Sequence, residues 1–488
     1  NVTDLTFGYD GAYDTVFENV SFQMDTDWKL GLTGRNGRGK TTLFRLLMHE
    51  FEYSGKISAD VDFEYFPYPV EHTDWLTSDI AGEIAPNASD WEFSKEFFLL
   101  GLDEDVFYRQ FCTLSKGEQT KVLLAALFLK ENSFLLIDEP TNHLDTQARE
   151  KLAAYLSAKK GFILISHDRY ILDSCVNHIL AINKTGIEIV RGNFSDWQRN
   201  KNLRDEFEIR ENKKLKGEIR RLEQSARRSG IWSYKTEKSK FNQKNSGLKI
   251  DRGFVGHKSA KMMKRAKTIE ARQKSMAEEK AKLLHNIESA QPLQIMPLAY
   301  FNDVLAEFKN VSVFYGKKEV FRNISFKLNR GDITALCGGN GSGKSSILKL
   351  LCGEDICYTG EIIKSSRLIV SYVSQNTDDV KGSISDYARR KEIDESLLKS
   401  VLSKLGVSDA QLEKRIEDLS EGQRKKVLIS ASLCTRTHLY VWDEPLNFLD
   451  VISRMQLENL LCSYKPSMIF VEHDKTFCEN TASQKIEL

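Results

Sequence analysis

Gly34-Arg35-Asn36-Gly37-Arg38-Gly39-Lys40-Thr41 and Gly338-Gly339-Asn340-Gly341-Ser342-Gly343-Lys344-Ser345 are one glycine-rich loop written twice, 304 residues apart. Glycines in this pattern let a backbone wrap tightly and aim its N–H groups at phosphate oxygens. The first loop follows the apolar run Leu30-Gly31-Leu32-Thr33 and continues into Leu43-Phe44-Arg45-Leu46-Leu47, which reads as a helix. Strand, glycine turn and helix form the context in which this motif means phosphate binding. Three more elements recur in order: Leu114-Ser115-Lys116-Gly117-Glu118-Gln119 as Leu419-Ser420-Glu421-Gly422-Gln423, Asp138-Glu139-Pro140 as Asp443-Glu444-Pro445, and His167-Asp168 as His473-Asp474. All four repeats lie at offsets of 304 to 306 residues. The sequence therefore predicts an α/β chain with two phosphate-loop ATPase domains, over 1–197 and 293–488.

Each element has a chemical reading. Gly34, Asn36, Gly37, Gly39 and Thr42, with Gly338, Asn340, Gly341, Gly343 and Ser346, would form the two cradles. Lys40 and Lys344 would reach the terminal phosphates. Thr41 and Ser345 offer hydroxyls to Mg²⁺, which Asp138 and Asp443 would also hold. Each aspartate ends an apolar run, such as Phe134-Leu135-Leu136-Ile137, about 98 residues after its loop lysine. Glu139 and Glu444 stand where a carboxylate orients the attacking water in phosphoryl transfer. His167 and His473 follow apolar runs and are expected at the γ-phosphate. Residues 70–110 read as a short, acidic, partly helical insertion of the first domain.

Bulk properties narrow the class. The chain has 488 residues and eight scattered cysteines with no CxxC pair, as expected of reduced thiols in a cytoplasmic protein. No apolar run approaches the ~18 residues of a membrane span, and the opening Asn1-Val2-Thr3-Asp4 carries no visible export signal. Net charge is +1, yet residues 198–290 hold 26 Lys and Arg against 12 Asp and Glu, leaving −13 elsewhere. A basic middle suggests a polyanionic partner.

The middle, 198–292, reads as a long antiparallel helical hairpin. Leu203, Phe207, Ile209, Leu215, Ile219 and Leu222 mark a first helix to about Arg228, and Lys261 to about Ile287 a second. The tip, about 229–260, is punctuated by glycines. It interleaves Trp232, Tyr234, Phe241 and Phe254 with lysines, a composition for stacking on bases and neutralising phosphates. The same aromatics could instead pack the tip into a small core, with Trp232 its first member. A solvated spacer is the plainer alternative for the whole segment. Lys244, Leu248, Phe254 and Lys258 are the expected RNA-contacting tip residues.

These motifs resemble those of ABC ATPases, in which two domains face head to tail around nucleotide. The resemblance implies one ATP site joining the first loop with Ser420, Gly422 and Gln423. It implies another joining the second loop with Ser115, Gly117 and Glu118. Tyr9 and Tyr315 resemble the adenine-stacking aromatics, though a core role is open to each. Gln375 resembles the glutamine-loop residue, a further Mg²⁺ contact; the first copy has Tyr68 there, in Tyr65-Phe66-Pro67-Tyr68. Asp145 and Asp450 resemble the domain-contact residues.

Two such domains on one chain with a charged hairpin resemble the ABC-F proteins, and Asp138-Glu-Pro-Thr-Asn-His-Leu-Asp145 is typical of them. The second copy departs at Leu446 and Phe448. Among ABC-F proteins the chain looks most like the Lsa-type antibiotic-resistance members. That resemblance implies a monomer whose two ATPase domains pair intramolecularly and bind the 70S ribosome at its exit site. The hairpin would lie near P-site tRNA and 23S rRNA, dislodging lincosamides, streptogramins A and pleuromutilins. A housekeeping translation factor shares every ATPase motif. An exporter subunit would leave the hairpin without use, and a DNA-associated ATPase would use it on duplex DNA; neither membrane nor DNA is the expected partner.

Overall fold

The structure, a computed structural model, describes residues 1–9, 15–142, 144–183, 186–238, scattered positions from 257 to 276, 292–316 and 318–488. The chain divides into two compact units, Asn1–Trp197 with Ala290–Leu488, and Gln198–Ser289.

The first unit contains two lobes of the same design. In the first lobe a six-stranded sheet runs in the order Asp62–Phe66, Ser133–Asp138, Phe162–Ile165, Lys29–Thr33, His178–Asn183, Gly186–Arg191. All pairs are parallel except the last. In the second lobe five parallel strands follow the order Val370–Val373, Leu439–Asp443, Met468–Val471, Ile333–Cys337, Gln484–Glu487. Parallel strands covered on both faces are continuous apolar runs: all four residues of Phe162–Ile165 and of Met468–Val471 are buried. A three-stranded antiparallel sheet completes each lobe, from Val2–Phe7, Phe17–Phe22 and Ser54–Ile57, and from Val304–Tyr315, Lys318–Asn329 and Tyr358–Lys364.

Strand register gathers the chemistry on one edge. Asp138 lies opposite Ile165, and Asp443 opposite Val471. Each aspartate and the histidine just beyond the neighbouring strand therefore leave the sheet together, at the carboxyl ends where such sheets bind ligands. The phosphate-loop strand runs beside them and feeds helix Lys40–Leu47 or Lys344–Cys352. Both helices start from a left-handed glycine, Gly39 (φ 88) and Gly343 (φ 94). A β-carbon there would stand 2.6 Å from Val16 Cγ1 or 2.6 Å from Phe321 Cδ1, so conformation and space both demand glycine.

Helices Thr77–Ile84 and Asp90–Leu100 occupy the stretch read from sequence as an insertion. The second lobe has counterparts in Ile384–Arg390 and Glu395–Lys404. Residues 70–110 are therefore an element that both copies carry, unrecognised because the two stretches share little sequence.

Phe194 and Trp197 are buried in the first lobe's core and begin a helix of 45 residues, Phe194–Lys238. It runs past the stop expected near Arg228, so residues 229–238 of the expected tip are helical. Its two interior glycines, Gly217 and Gly230, cost only about 1 kcal/mol each, and charged pairs one turn apart, such as Glu206–Arg210 at 3.0 Å, support the helix. The described positions from 257 to 276 are helical too. Lys244, Leu248, Phe254 and Lys258 lie outside the described residues. Among described residues no helix is long and apolar enough to cross a membrane.

Trp442, fully buried in the second lobe's sheet, donates its indole N–H to Ser432 Oγ at 2.9 Å. Trp442→Ala should destabilise that lobe by about 3–5 kcal/mol, read as an earlier first transition in urea unfolding; Trp442→Phe should cost less.

Candidate active site

The lobes meet so that each phosphate loop faces the other lobe's signature helix. One cleft, of about 350 Å³, is lined by Asn36, Lys40, Thr41, Asp138, Glu139 and His167 from the first lobe and by Ser420, Gly422 and Phe448 from the second. The other, about 910 Å³, is lined by Tyr315, Asn340, Gly341, Gly343, Lys344, Ser345, Ser346, Gln375, Glu444 and His473, facing Ser115, Gly117, Glu118, Asp145 and Arg149. Helices Lys116–Leu129 and Glu421–Cys434 present their N-termini here. Each is held by a capping box, Ser115 with Glu118 and Ser420 with Gln423. Their free N–H groups and dipoles favour an anion.

At the smaller cleft the first phosphate loop touches the second lobe directly. Asn36 Nδ2 donates to the carbonyl of Phe448 across the lobes, at 3.1 Å. A β-carbon on Gly422 would fall 2.4 Å from that oxygen, within the second lobe, and 3.3 Å from Asn36 Nδ2 across the boundary, so a larger residue would disturb the carbonyl that Asn36 meets. Phe448, itself at φ 62, borders both clefts.

Within the loops, Lys40 Nζ donates to Gly34 O at 2.8 Å and to Asn36 Oδ1 at 3.2 Å. Lys344 Nζ donates to Gly338 O at 3.0 Å and to Gly339 O at 2.7 Å. Thr41 Oγ1 donates to Asp138 Oδ2 at 2.9 Å, and Ser345 bonds to Asp443 in the same way. Buried Asp443 Oδ1 receives no hydrogen bond from the described residues. A hydroxyl, a carboxylate and phosphate oxygens make a hard oxygen set that fits Mg²⁺, which takes few protein ligands.

Glu139 and Glu444 adopt left-handed backbone, φ 49 and 45, a strained conformation for glutamate. Burial, reinforced by neighbouring Asp138, pushes the Glu139 carboxyl up to about 8. Among the described residues its Oε1 has no hydrogen-bond partner, and it lies 3.4 Å from His167 Nε2. Burial holds His167 well below its ordinary range and brings His473 down to about 4, so both rings are neutral at pH 7.

The copies differ at the glutamine position. Gln375 Nε2 donates to Glu444 Oε2 at 2.9 Å, so its carboxamide meets the glutamate and not Asp443. Tyr68 packs against the first lobe's core instead. Tyr65 reaches Asp138, its hydroxyl 3.2 Å from Oδ2. Tyr315 borders its cleft with its hydroxyl 3.1 Å from Ser346 Oγ. Tyr9, bonded to Thr42 at 2.8 Å, stays half exposed beside Phe7 and Phe51 and is not in the lining of the smaller cleft.

Several participants carry no motif. Arg149 donates to Leu144 O at 3.0 Å and Asp168 Oδ2 at 3.1 Å, and its charge depresses His473 across the interface. Arg454 mirrors it, bonded to Leu449 O and Asp474, its charge opposing the rise at Glu139. Glu472, where the first copy has Ser166, is buried under the charges of both arginines. Lys425 is fully buried, donates to Ser374 O and Asp443 O at 2.8 and 3.1 Å, and is brought down to about 8 by burial. It ties the second signature helix to the Gln375 loop; the first copy has Thr120. Lys426 and Asp450 form a buried pair at 2.7 Å. The recurrence of Arg149 as Arg454, 305 residues on, is a signal the repeat itself offered.

The profile of the family described as ABC transporter matches residues 17–142 and 321–447, together more than half the chain. The ribosome protection protein VmlR of Bacillus subtilis is 26% identical over 501 residues, covering 99% of this chain and 86% of its own. The energy-dependent translational throttle protein EttA of Haemophilus influenzae is 24% identical over 526 residues, covering 97% and 89%. Among solved structures, an archaeal ribosome recycling factor, aABCE1, in complex with a ribosomal stalk protein shares the fold. Its TM-score is 0.65 at 17% identity, covering 99% of this chain and 87% of that one.

Lys426→Met should strand Asp450 and destabilise the second lobe by about 3–5 kcal/mol. Adding Asp450→Asn should recover part of that loss in urea unfolding, and a fully additive double variant would show the pair to be uncoupled.

Proposed function

Because the chain belongs to the ABC family of ATPases, and within it to the ABC-F group, we propose that it is a cytoplasmic, ATP-driven ribosome-protection protein. On this reading it occupies the ribosomal exit site. Its basic middle segment, folded as an antiparallel hairpin, reaches toward P-site tRNA and 23S rRNA and displaces lincosamides, streptogramins A and pleuromutilins, as Lsa-type proteins do. One observation carries the reading: both clefts are built from two lobes, so nucleotide bound in either joins the lobes, while the segment between them holds a surplus of basic charge. The full-length likeness to VmlR, whose name states ribosome protection, supports it. The comparable likeness to EttA supports a second reading, a housekeeping factor acting on translating ribosomes without drug specificity.

In this mechanism each phosphate loop and the facing signature helix grip one ATP. Lys40 and Lys344 hold the terminal phosphates, Tyr315 borders the base at the larger cleft, and Tyr9, outside the lining of the smaller one, meets the base only where it projects beyond that cleft. Thr41 with Asp138, and Ser345 with Asp443 and Gln375, would hold Mg²⁺, which would supply neutralisation of phosphate charge. Glu139 and Glu444 orient water in line with the γ-phosphate, each beside a neutral histidine. Hydrolysis loosens the cross-lobe grip and releases the protein. Basic residues of the middle segment, Lys244 and Lys258 among them, contact RNA phosphates, an attraction that weakens with salt.

The Glu139→Gln/Glu444→Gln double variant should retain ATP binding, lose hydrolysis and stay on 70S ribosomes through co-sedimentation. Departure at the wild-type rate would remove hydrolysis as the release step. Expression in a susceptible host should raise the lincomycin and tiamulin concentrations needed to stop growth; no rise with either, alongside ATP-dependent ribosome binding, would favour the housekeeping reading.

Protonated Glu139 cannot orient water as a carboxylate. In a Glu444→Gln protein, ATP turnover at the smaller cleft should therefore climb through about pH 8, while the fold holds. Folded Glu139 binds its proton more tightly than the unfolded chain, so this group's contribution to stability falls as pH rises from about 4.5 to about 8.

A further inference from the structure

Helix Asp90–Leu100 buries Phe93, Phe97 and Leu100 in the first lobe's core and turns a second apolar face outward. Trp91 is 65% exposed, Phe98 81% and Leu99 48%. These positions fall within about 100° around the helix axis and make one stripe. Lys95 belongs to it, its Nζ 5.4 Å from the centre of the Trp91 ring. The two rings alone leave on the order of 250 Å² of aromatic surface in water, and the largest exposed apolar patches of a monomer, a few hundred Å² in size, are often functional.

The chain contains its own control. Gly101 (φ 65) and Gly406 (φ 81) follow the equivalent helices of the two lobes in left-handed backbone. Counting back from them pairs Phe93 with Leu398 and Phe97 with Leu402, buried in both copies. The same count sets Trp91, Phe98 and Leu99 against Ser396, Ser403 and Lys404. The fold is thus satisfied by small polar or charged residues where the first lobe exposes two aromatics and a leucine.

Charge selects the partner. Residues 90–108 carry six acidic side chains and one lysine, with Asp90, Asp103, Glu104 and Asp105 exposed. This field repels nucleic-acid phosphates and attracts cationic groups. We infer that the Trp91–Phe98–Leu99 stripe docks a basic protein segment bearing an apolar side chain. The apolar group lies on the stripe, and lysine or arginine side chains pair with the acidic rim and the Trp91 face. This rests on the ribosome reading, from which it takes its partner: a protein component of the ribosome and not its RNA.

The test installs the second copy's own residues, Trp91→Ser, Phe98→Ser and Leu99→Lys, in the full chain. Melting temperature and basal ATPase should stay at wild-type values, while the apparent Kd for 70S ribosomes in ATP rises roughly tenfold or more. In parallel, Phe98→p-benzoylphenylalanine in the Glu139→Gln/Glu444→Gln background should crosslink on irradiation to a ribosomal-protein peptide rich in lysine and arginine. Unchanged affinity of the triple variant overturns the inference and leaves the ribosome reading standing. So does a crosslink to rRNA, to an acidic peptide or to a second copy of this chain, or no crosslink at all. If the triple variant melts early, the crosslink decides alone. If wild type fails to sediment with ribosomes, the ribosome reading falls and this assignment falls with it.

Discussion

The hydrogen bond from Asn36 to the carbonyl of Phe448, with Gly422 packed beside it, holds the first phosphate loop against the facing lobe. Everything chemical here depends on that approach. A phosphate loop alone offers a cradle with one open side, and a signature helix alone offers an N-terminus with nothing to face. Brought together they make an anion site with donors on both sides. Arg149, Arg454, Asp168, Asp474 and Glu472 are all buried near this boundary. The ion pairs Arg169–Glu458 and Lys475–Glu150 cross it, and Val451 and Met455 of the second lobe pack against the first lobe's core, so closure joins paired charges with apolar contact.

The two clefts are not copies. The larger one has Gln375 on Glu444, and Lys425 behind it fastens that loop to the strand ending at Asp443 and to the second signature helix. The smaller one has neither: Thr120 stands for the lysine, and Tyr68 has turned into the core. These losses coincide because they belong to one device, a buried lysine positioning a loop that carries a carboxamide. Where the carboxamide is absent, nothing requires the desolvated lysine. Glu139, lacking a carboxamide partner, is also the carboxylate that burial raises.

Much of the lobe architecture was legible because its determinants are local. Gly39 and Gly343 must be glycine for reasons visible in the turn itself, and apolar runs such as Phe162–Ile165 announce buried parallel strands. What escaped depends on residues distant in the chain. Nothing around Lys425 or Glu472 in sequence says that carbonyls or arginines will surround them. Residues 70–110 passed for an insertion because the second lobe builds the same helices from different side chains. The helix from Phe194 outran its expected end because a lone glycine such as Gly230 costs too little to stop a long helix.

Phe448 borders both clefts, with its backbone fixed by a partner from the opposite lobe. A side chain shared in this way cannot relax toward one chamber without withdrawing from the other. Where nucleotide in one chamber moves Phe448, it moves a wall of the other, and the two binding constants become properties of the pair. Titrations of this protein with nucleotide would then depart from the isotherm of two independent sites, and the sign of that departure would report which way the wall prefers to lean.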